Sequence, residues 1–156
     1  MANLNGKVAV VIGAANRDNM AQIIARRLAA DGAKVVVAGR SPEELERLAG
    51  EIGGIAVSHC DLTSEADLAR LADTAVSQLG GIDIAVNATG WGLLKTFLET
   101  TKEEIEQISA LQFTGAFLFY QAMLRVMRDG GSLIQISSAT ATIMLEDHAA
   151  YMGTKA

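Results

Sequence analysis

At 156 residues the chain is long enough for one domain, and half of those residues are hydrophobic against 20% charged, so a packed core is readily built. A net charge of −5 argues against nucleic acid or an anionic membrane surface as a partner, and no apolar run reaches the length of a bilayer span. The opening MANLNGK has no secretory apolar stretch and the lone cysteine, Cys60, can form no internal disulfide, which together point to a reducing, cytoplasmic setting.

Along the chain, short apolar runs rich in β-branched residues alternate with stretches of helical spacing. The runs fall at 8–12, 33–38, 54–58, 82–87 and 132–137. They are too short for packed helices and too uniformly apolar for strands with one wet face, so they read as strands buried on both faces. The first helix is expected over 20–31, with Ile23, Ile24, Arg27 and Leu28 at steps of three and four and Gly32 as its stop. Ser41-Pro42 caps and opens a second. Ser64 precedes a third, with Asp67 in place of the capping-box glutamate. Thr101 opens a long fourth helix, expected to run towards Met127 and end at Gly130-Gly131, and a further helix begins after the last strand. Strand and helix alternating in this way build right-handed crossovers and an α/β, doubly wound parallel sheet of Rossmann type, as a single nucleotide-binding domain over 1–156.

The first strand runs straight into Gly13-Ala-Ala-Asn-Arg-Asp-Asn-Met-Ala21. A strand, a glycine turn and a helix N-terminus direct amide groups and a positive dipole end at a pyrophosphate. Only Gly13 remains of the usual three-glycine fingerprint, which leaves a second reading open: Gly13 ends a strand and Asn19 caps a helix. The second strand ends VVVAGRS, with Gly39 where proteins preferring NAD carry a carboxylate and Arg40 beside it. The missing carboxylate and the guanidinium favour a 2′-phosphate, hence NADP(H) over NAD, and Arg17 offers a second positive charge. On the other reading Arg40 is a solvated loop residue. His59 has no metal-ligand spacing, Cys60 reads as a packing residue, and no metal is expected.

Tyr151-Met-Gly-Thr-Lys155 places its first and last residues one turn apart on a helix face, and Ser138 lies thirteen positions before the tyrosine. With these residues the chain resembles the short-chain dehydrogenase/reductase family, in its Tyr-x-x-x-Lys carbonyl-reductase form. Reducing a ketone by hydride transfer makes an alkoxide that needs a proton, and a phenol of pKa about 10 supplies it near neutrality only if a cation lowers that value. The resemblance therefore implies Tyr151 as general acid in reduction and base in oxidation, Lys155 as the cation that also holds the nicotinamide ribose, and Ser138 as a hydrogen-bond partner of the substrate oxygen.

The first turn instead is similar to that of the enoyl-acyl-carrier-protein reductase branch, with Asn19 for a serine and Ala21 for an alanine. By that resemblance Gly13, Asn16, Arg17, Asn19 and Met20 cradle the cofactor, Asp61 and Leu62 meet the adenine, and Asn87-Ala88-Thr89-Gly90 stands for the family's NNAG element. Trp91 reads either as a wall of the substrate site or as packing. Gln112 in Gln-Phe-Thr-Gly replaces a catalytic asparagine. It keeps an amide that can hold a proton-relay water, but its greater length implies lower activity. Residues 139–150 should line the substrate site, with Met144 and Leu145 as an apolar wall, while Glu146, Asp147 and His148 read as polar contacts or as a solvated loop.

The resemblance further implies strand order 3-2-1-4-5, a small-molecule carbonyl or alcohol substrate, and a homodimer or homotetramer. It also implies a chain continuing past Ala156 with more strands and a substrate lid. An enoyl-thioester reductase and a non-catalytic nucleotide-binding or regulatory protein stay open as other functions.

Overall fold

β1 (Val8–Ile12), β2 (Lys34–Ala38), β3 (Ile55–Val57), β4 (Ile82–Asn87) and β5 (Met127–Gln135) form one sheet in the computed structural model, which describes residues 3–156. Every pairing is parallel and the order is β3-β2-β1-β4-β5, as the resemblance implies. The connecting helices are α1 (Met20–Ala30), α2 (Pro42–Ile52), α3 (Glu65–Leu79), α4 (Lys102–Ser109), α5 (Gly115–Leu124) and α6 (Ala149–Lys155).

β1, at the centre, is buried along its whole length, and its period-two alternation divides the core. Val10 and Ile12 pack with Leu68 and Leu71 of α3 and Phe119 of α5 on one face. Ala9 and Val11 pack with Ala21 and Ala25 of α1 and Leu45 and Leu48 of α2 on the other. Helices cover both faces of β1, β2 and β4, which is why these strands are buried along most of their length, whereas β5 is largely exposed. Each large side chain buried here contributes about 1.5–3 kcal/mol of transfer free energy. No described helix is long and apolar enough to cross a membrane.

Two helices differ from their sequence patterns. In α1 the buried residues are Ala21, Gln22 and Ala25, while Ile23 is 59% exposed. Small side chains let the helix lie close on the sheet, and that proximity outranks the aliphatic stripe. The expected long fourth helix is broken by a π-helical turn over Ala110–Thr114 and stops at Leu124. Met127 already belongs to β5, and the register passes from Ile82↔Met127 to Ile84↔Ser132, so Gly130 and Gly131 sit in a bulge and stop no helix. Gly130 has φ 78°, and a Cβ on Gly131 would lie 2.9 Å from the Asp83 carbonyl. Arg128 pins the segment early by donating to Asp83 at 2.7 Å and to the Gly80 carbonyl at 2.9 Å. β5 ends at Gln135, short of the expected run over 132–137, and Ser138 lies beyond the strand.

Candidate active site

Side-chain amides hold the turn after β1. Gly13 has φ 103°, and a Cβ there would lie 2.9 Å from the backbone of Ala88 and Thr89, so only glycine fits. Asn19 caps α1 by accepting from the Gln22 amide at 3.0 Å, and its Nδ2 donates to the Gly13 carbonyl at 2.7 Å. Gln22 is fully buried; its Nε2 donates to the Ala14 carbonyl at 2.9 Å and its Oε1 accepts from the Asp18 amide at 3.1 Å. Asn19 and Gln22 thus order a loop that further glycines would otherwise shape. The sequence reading missed Gln22, whose only signal is a polar residue on the inward side of α1.

A cleft of about 440 Å³ opens at the carboxyl ends of the strands, where doubly wound sheets bind ligands. Gly13, Asn16 and Asn19 line it from the first turn, and Arg40 from the end of β2. Asp61 and Leu62 line it after β3, and Ala88 and Thr89 after β4. Gly39 is buried, and a Cβ on it would come within 2.9 Å of the Ala15 side chain, so the position has no room for a carboxylate. Arg40 is exposed and makes no ion pair among the described residues.

Five expected cofactor residues do not line this cleft: Tyr151 and Lys155, which lie on α6, and Arg17, Met20 and Asn87. Arg17 points to α2 and pairs with Glu44 at 3.1 Å, because Glu44 is already charged; an Arg47 hydrogen bond holds that carboxyl below the usual carboxylate range. Met20 is exposed at the start of α1. Asn87 is buried, and its Oδ1 accepts from the amide of Thr89 at 3.0 Å and from its hydroxyl, which fixes the turn after β4. Cys60 lines the cleft, yet burial pushes its thiol up to about 11, which fits packing and not a reactive thiolate. Among the described residues no group of acidic, His and Cys side chains gathers to hold a metal.

Tyr151 and Lys155 lie on α6, with Lys155 Nζ 5.8 Å from the centre of the tyrosine ring. Nζ donates to the Ile136 carbonyl at 3.2 Å, and burial lowers the lysine pKa. Ser138 caps the short 3-10 turn Ala139–Ala141, accepting from the Thr140 amide at 3.3 Å and from its hydroxyl at 2.9 Å, and α6 packs on that turn. Gln112 is buried inside the π-helical turn. Its Nε2 donates to Thr154 Oγ1 at 2.9 Å and to the Trp91 carbonyl at 3.4 Å, while its Oε1 has no hydrogen-bond partner among the described residues.

Gly90 joins the two groups of residues. It lines the cleft, and a Cβ built on it would lie 3.3 Å from Gln112 Oε1 and 3.6 Å from Lys155 Nζ. A lysine cation and an unpartnered amide oxygen therefore converge on the bare backbone of a cleft residue. Farther out, the Lys95 amide donates to the Asp147 carbonyl at 2.7 Å, bridging the loops that follow β4 and β5. Ile143, Met144 and Leu145 are exposed on the second of these loops.

Known proteins place this arrangement. The family profile described as Enoyl-(Acyl carrier protein) reductase matches residues 13–156. D-threitol dehydrogenase of Mycolicibacterium smegmatis is 33% identical over 97% of this chain and 60% of its own length. Tropinone reductase-like 1 of Erythroxylum coca is 34% identical over 94% of this chain and 56% of its own. Among solved structures, a short-chain dehydrogenase/reductase from Serratia marcescens superposes with TM-score 0.89 at 30% identity, covering 97% of this chain and 64% of that one. A short-chain dehydrogenase from Burkholderia cenocepacia in complex with NADP gives 0.89 at 26% identity, covering 98% and 64%. The chain thus spans about 60% of the length of these relatives. Strand order, turn, cleft and relatives agree, and the chain belongs to the short-chain dehydrogenase/reductase family.

Proposed function

We propose that this chain forms the cofactor-binding and catalytic part of an oxidoreductase that passes hydride between NADP(H) and a carbonyl or secondary-alcohol substrate. The observation that carries the reading is the convergence of Lys155 Nζ and Gln112 on Gly90, at the wall of the nucleotide-sized cleft. The cleft suits a dinucleotide: Gly13 lets the backbone approach closely, Asn19 presents the N-terminus of α1, and Asp61 and Leu62 line it after β3, where the family resemblance puts the adenine. The excluded carboxylate at Gly39 and the exposed Arg40, unpaired among the described residues, favour a 2′-phosphate.

When bound, the nicotinamide supplies or accepts the hydride. Tyr151 gives its phenolic proton to the alkoxide formed on the substrate, and takes it back in the oxidising direction. Lys155 stands on the same helix face as the basic partner of the pair, its Nζ 5.8 Å from the centre of the Tyr151 ring, and partial burial lowers its own pKa. Ser138 holds the substrate oxygen beside the turn on which α6 packs. Gln112 Oε1 is a buried acceptor aimed at the space next to Lys155, suited to a water that returns protons to the lysine.

The test is a panel of ketones, 3-oxoacyl thioesters and a crotonyl thioester, assayed with NADPH and NADH. The expected result is NADPH-dependent ketone reduction that Tyr151→Phe abolishes without weakening cofactor binding. Reduction of the crotonyl thioester alone would establish an enoyl reductase. Cofactor binding with no turnover anywhere on the panel would establish a non-catalytic nucleotide-binding protein.

A further inference from the structure

His148 at the start of α6 provides no side-chain cap. Two contacts from outside the helix hold the turn that carries Tyr151 and Lys155. One anchor is Ser137 Oγ, which donates to the Lys155 carbonyl at 3.0 Å and ties the last turn to the chain beyond β5. The second passes through Thr154. Gln112 Nε2 donates to Thr154 Oγ1 at 2.9 Å, and the same hydroxyl donates to the Tyr151 carbonyl at 2.9 Å.

A hydroxyl both accepts and donates, so only serine or threonine at this position can relay the contact. The donor is also specially presented. Gln112 lies in the π-helical turn, where it is 6% exposed while Phe113 on one side is 61% exposed. A π-turn has poorer hydrogen bonding than α-helix and recurs at functional sites. Here it rotates one amide inwards onto α6.

We propose that Thr154 is a positioning residue: the relay from Gln112 through its hydroxyl to the Tyr151 backbone lets the π-turn set the rotation of α6, and with it the placement of Lys155 against the Tyr151 ring. The inference rests on the reading of Tyr151 and Lys155 as the proton-handling pair. Thr154 itself meets no reacting atom. The length of Gln112 then has a use, since the side chain reaches both α6 and the Trp91 carbonyl.

The experiment uses the full chain with Thr154→Val, which keeps the side-chain shape and removes both hydrogen bonds. The expected result is a kcat for carbonyl reduction about ten- to a hundredfold lower, with KM and the Kd for NADPH changed by less than about twofold, the pattern of a lost transition-state alignment. Thr154→Ser should restore kcat to within about threefold of the parent, because its hydroxyl relays the same contact. Magnetic resonance on ring-labelled tyrosine and side-chain-labelled lysine gives a readout that needs no turnover. Cross-peaks between Tyr151 and Lys155 should persist in the parent and in Thr154→Ser, and fade in Thr154→Val while the remaining spectrum is unchanged. Adding Thr154→Val to Gln112→Leu should cost nothing further, since both cut one relay. A Thr154→Val protein matching the parent in kcat and cross-peaks, a serine variant as impaired as valine, or additive losses in the double variant would each overturn the assignment. If the parent reduces no carbonyl, the proposed function falls, and the cross-peaks alone decide the positioning role.

Discussion

The two halves of the sheet are built differently. Around β1, β2 and the first two helices, apolar side chains are covered on both faces, and the buried polar Gln22 is fully hydrogen-bonded. Around β5 and α5, Phe113, Phe117, Leu124 and Ile134 lie exposed, β5 pairs only with β4, and Gln112 Oε1 stays unpartnered among the described residues. The nucleotide half thus draws its order from its own core. The half bearing Tyr151 and Lys155 buries Phe119 and Met123 on one side only and adds polar contacts through Ser137, Thr154 and Arg128. A cleft that binds a rigid cofactor gains from the first kind of construction. A proton-handling pair set by single hydrogen bonds is more easily displaced, and substitutions should reveal that asymmetry.

The largest expected effect is chemical: Tyr151→Phe should lower carbonyl reduction by about 10²–10⁴-fold with cofactor affinity retained, read from kcat beside an equilibrium titration. Next comes the core. Phe119→Ala should cost about 3–5 kcal/mol of stability, whereas Phe117→Ala, on the exposed side of the same helix, should stay within about 0.5 kcal/mol. Equal losses in urea melts would erase the contrast between buried and bare faces of α5.

Asp83 links the halves, accepting from the Val8 amide at 2.9 Å and pairing with Lys7 at 3.2 Å and Arg128 at 2.7 Å. Burial pushes its carboxyl up, but the Val8 amide, Lys7 and Arg128 together outweigh that and hold it below the ordinary value. A carboxyl with a depressed folded-state pKa stabilises the fold above its unfolded-state pKa, and that stability is lost as pH falls through the folded value. Asp83→Asn should cost about 2 kcal/mol at neutral pH and flatten the acid limb of a stability-against-pH curve; an unchanged limb would remove Asp83 as the link. The smallest effect concerns cofactor choice. Arg40→Asp should swing the ratio of NADPH to NADH affinity by about tenfold or more towards NADH, and unchanged relative affinities would return Arg40 to the role of a solvated loop residue.

Much of the first half was legible in the sequence because its determinants are local. The runs of valine and isoleucine specify strands buried on both faces, Asn19 and Ser64 cap the helices they precede, and Gly13 marks a turn only glycine permits. The second half was less legible because its determinants are contacts across the chain. The Gly130-Gly131 pair reads locally as a helix stop, yet pairing with β4 and the Arg128–Asp83 contact draw it into a bulge. Arg17 reads as a cofactor cation, yet α2 presents Glu44 within reach.

By itself, then, the sequence determined the alternation of strand and helix, the turn that opens the cleft, and the Tyr-x-x-x-Lys spacing, since each depends on residues within a turn or two of one another. Only the tertiary structure decided that Gln112 lies in a π-turn, that its amide reaches Thr154, and that Lys155 and Gln112 meet at Gly90. These features join residues tens of positions apart, and the packing of β4, the π-turn and α6 decides which side chains face one another.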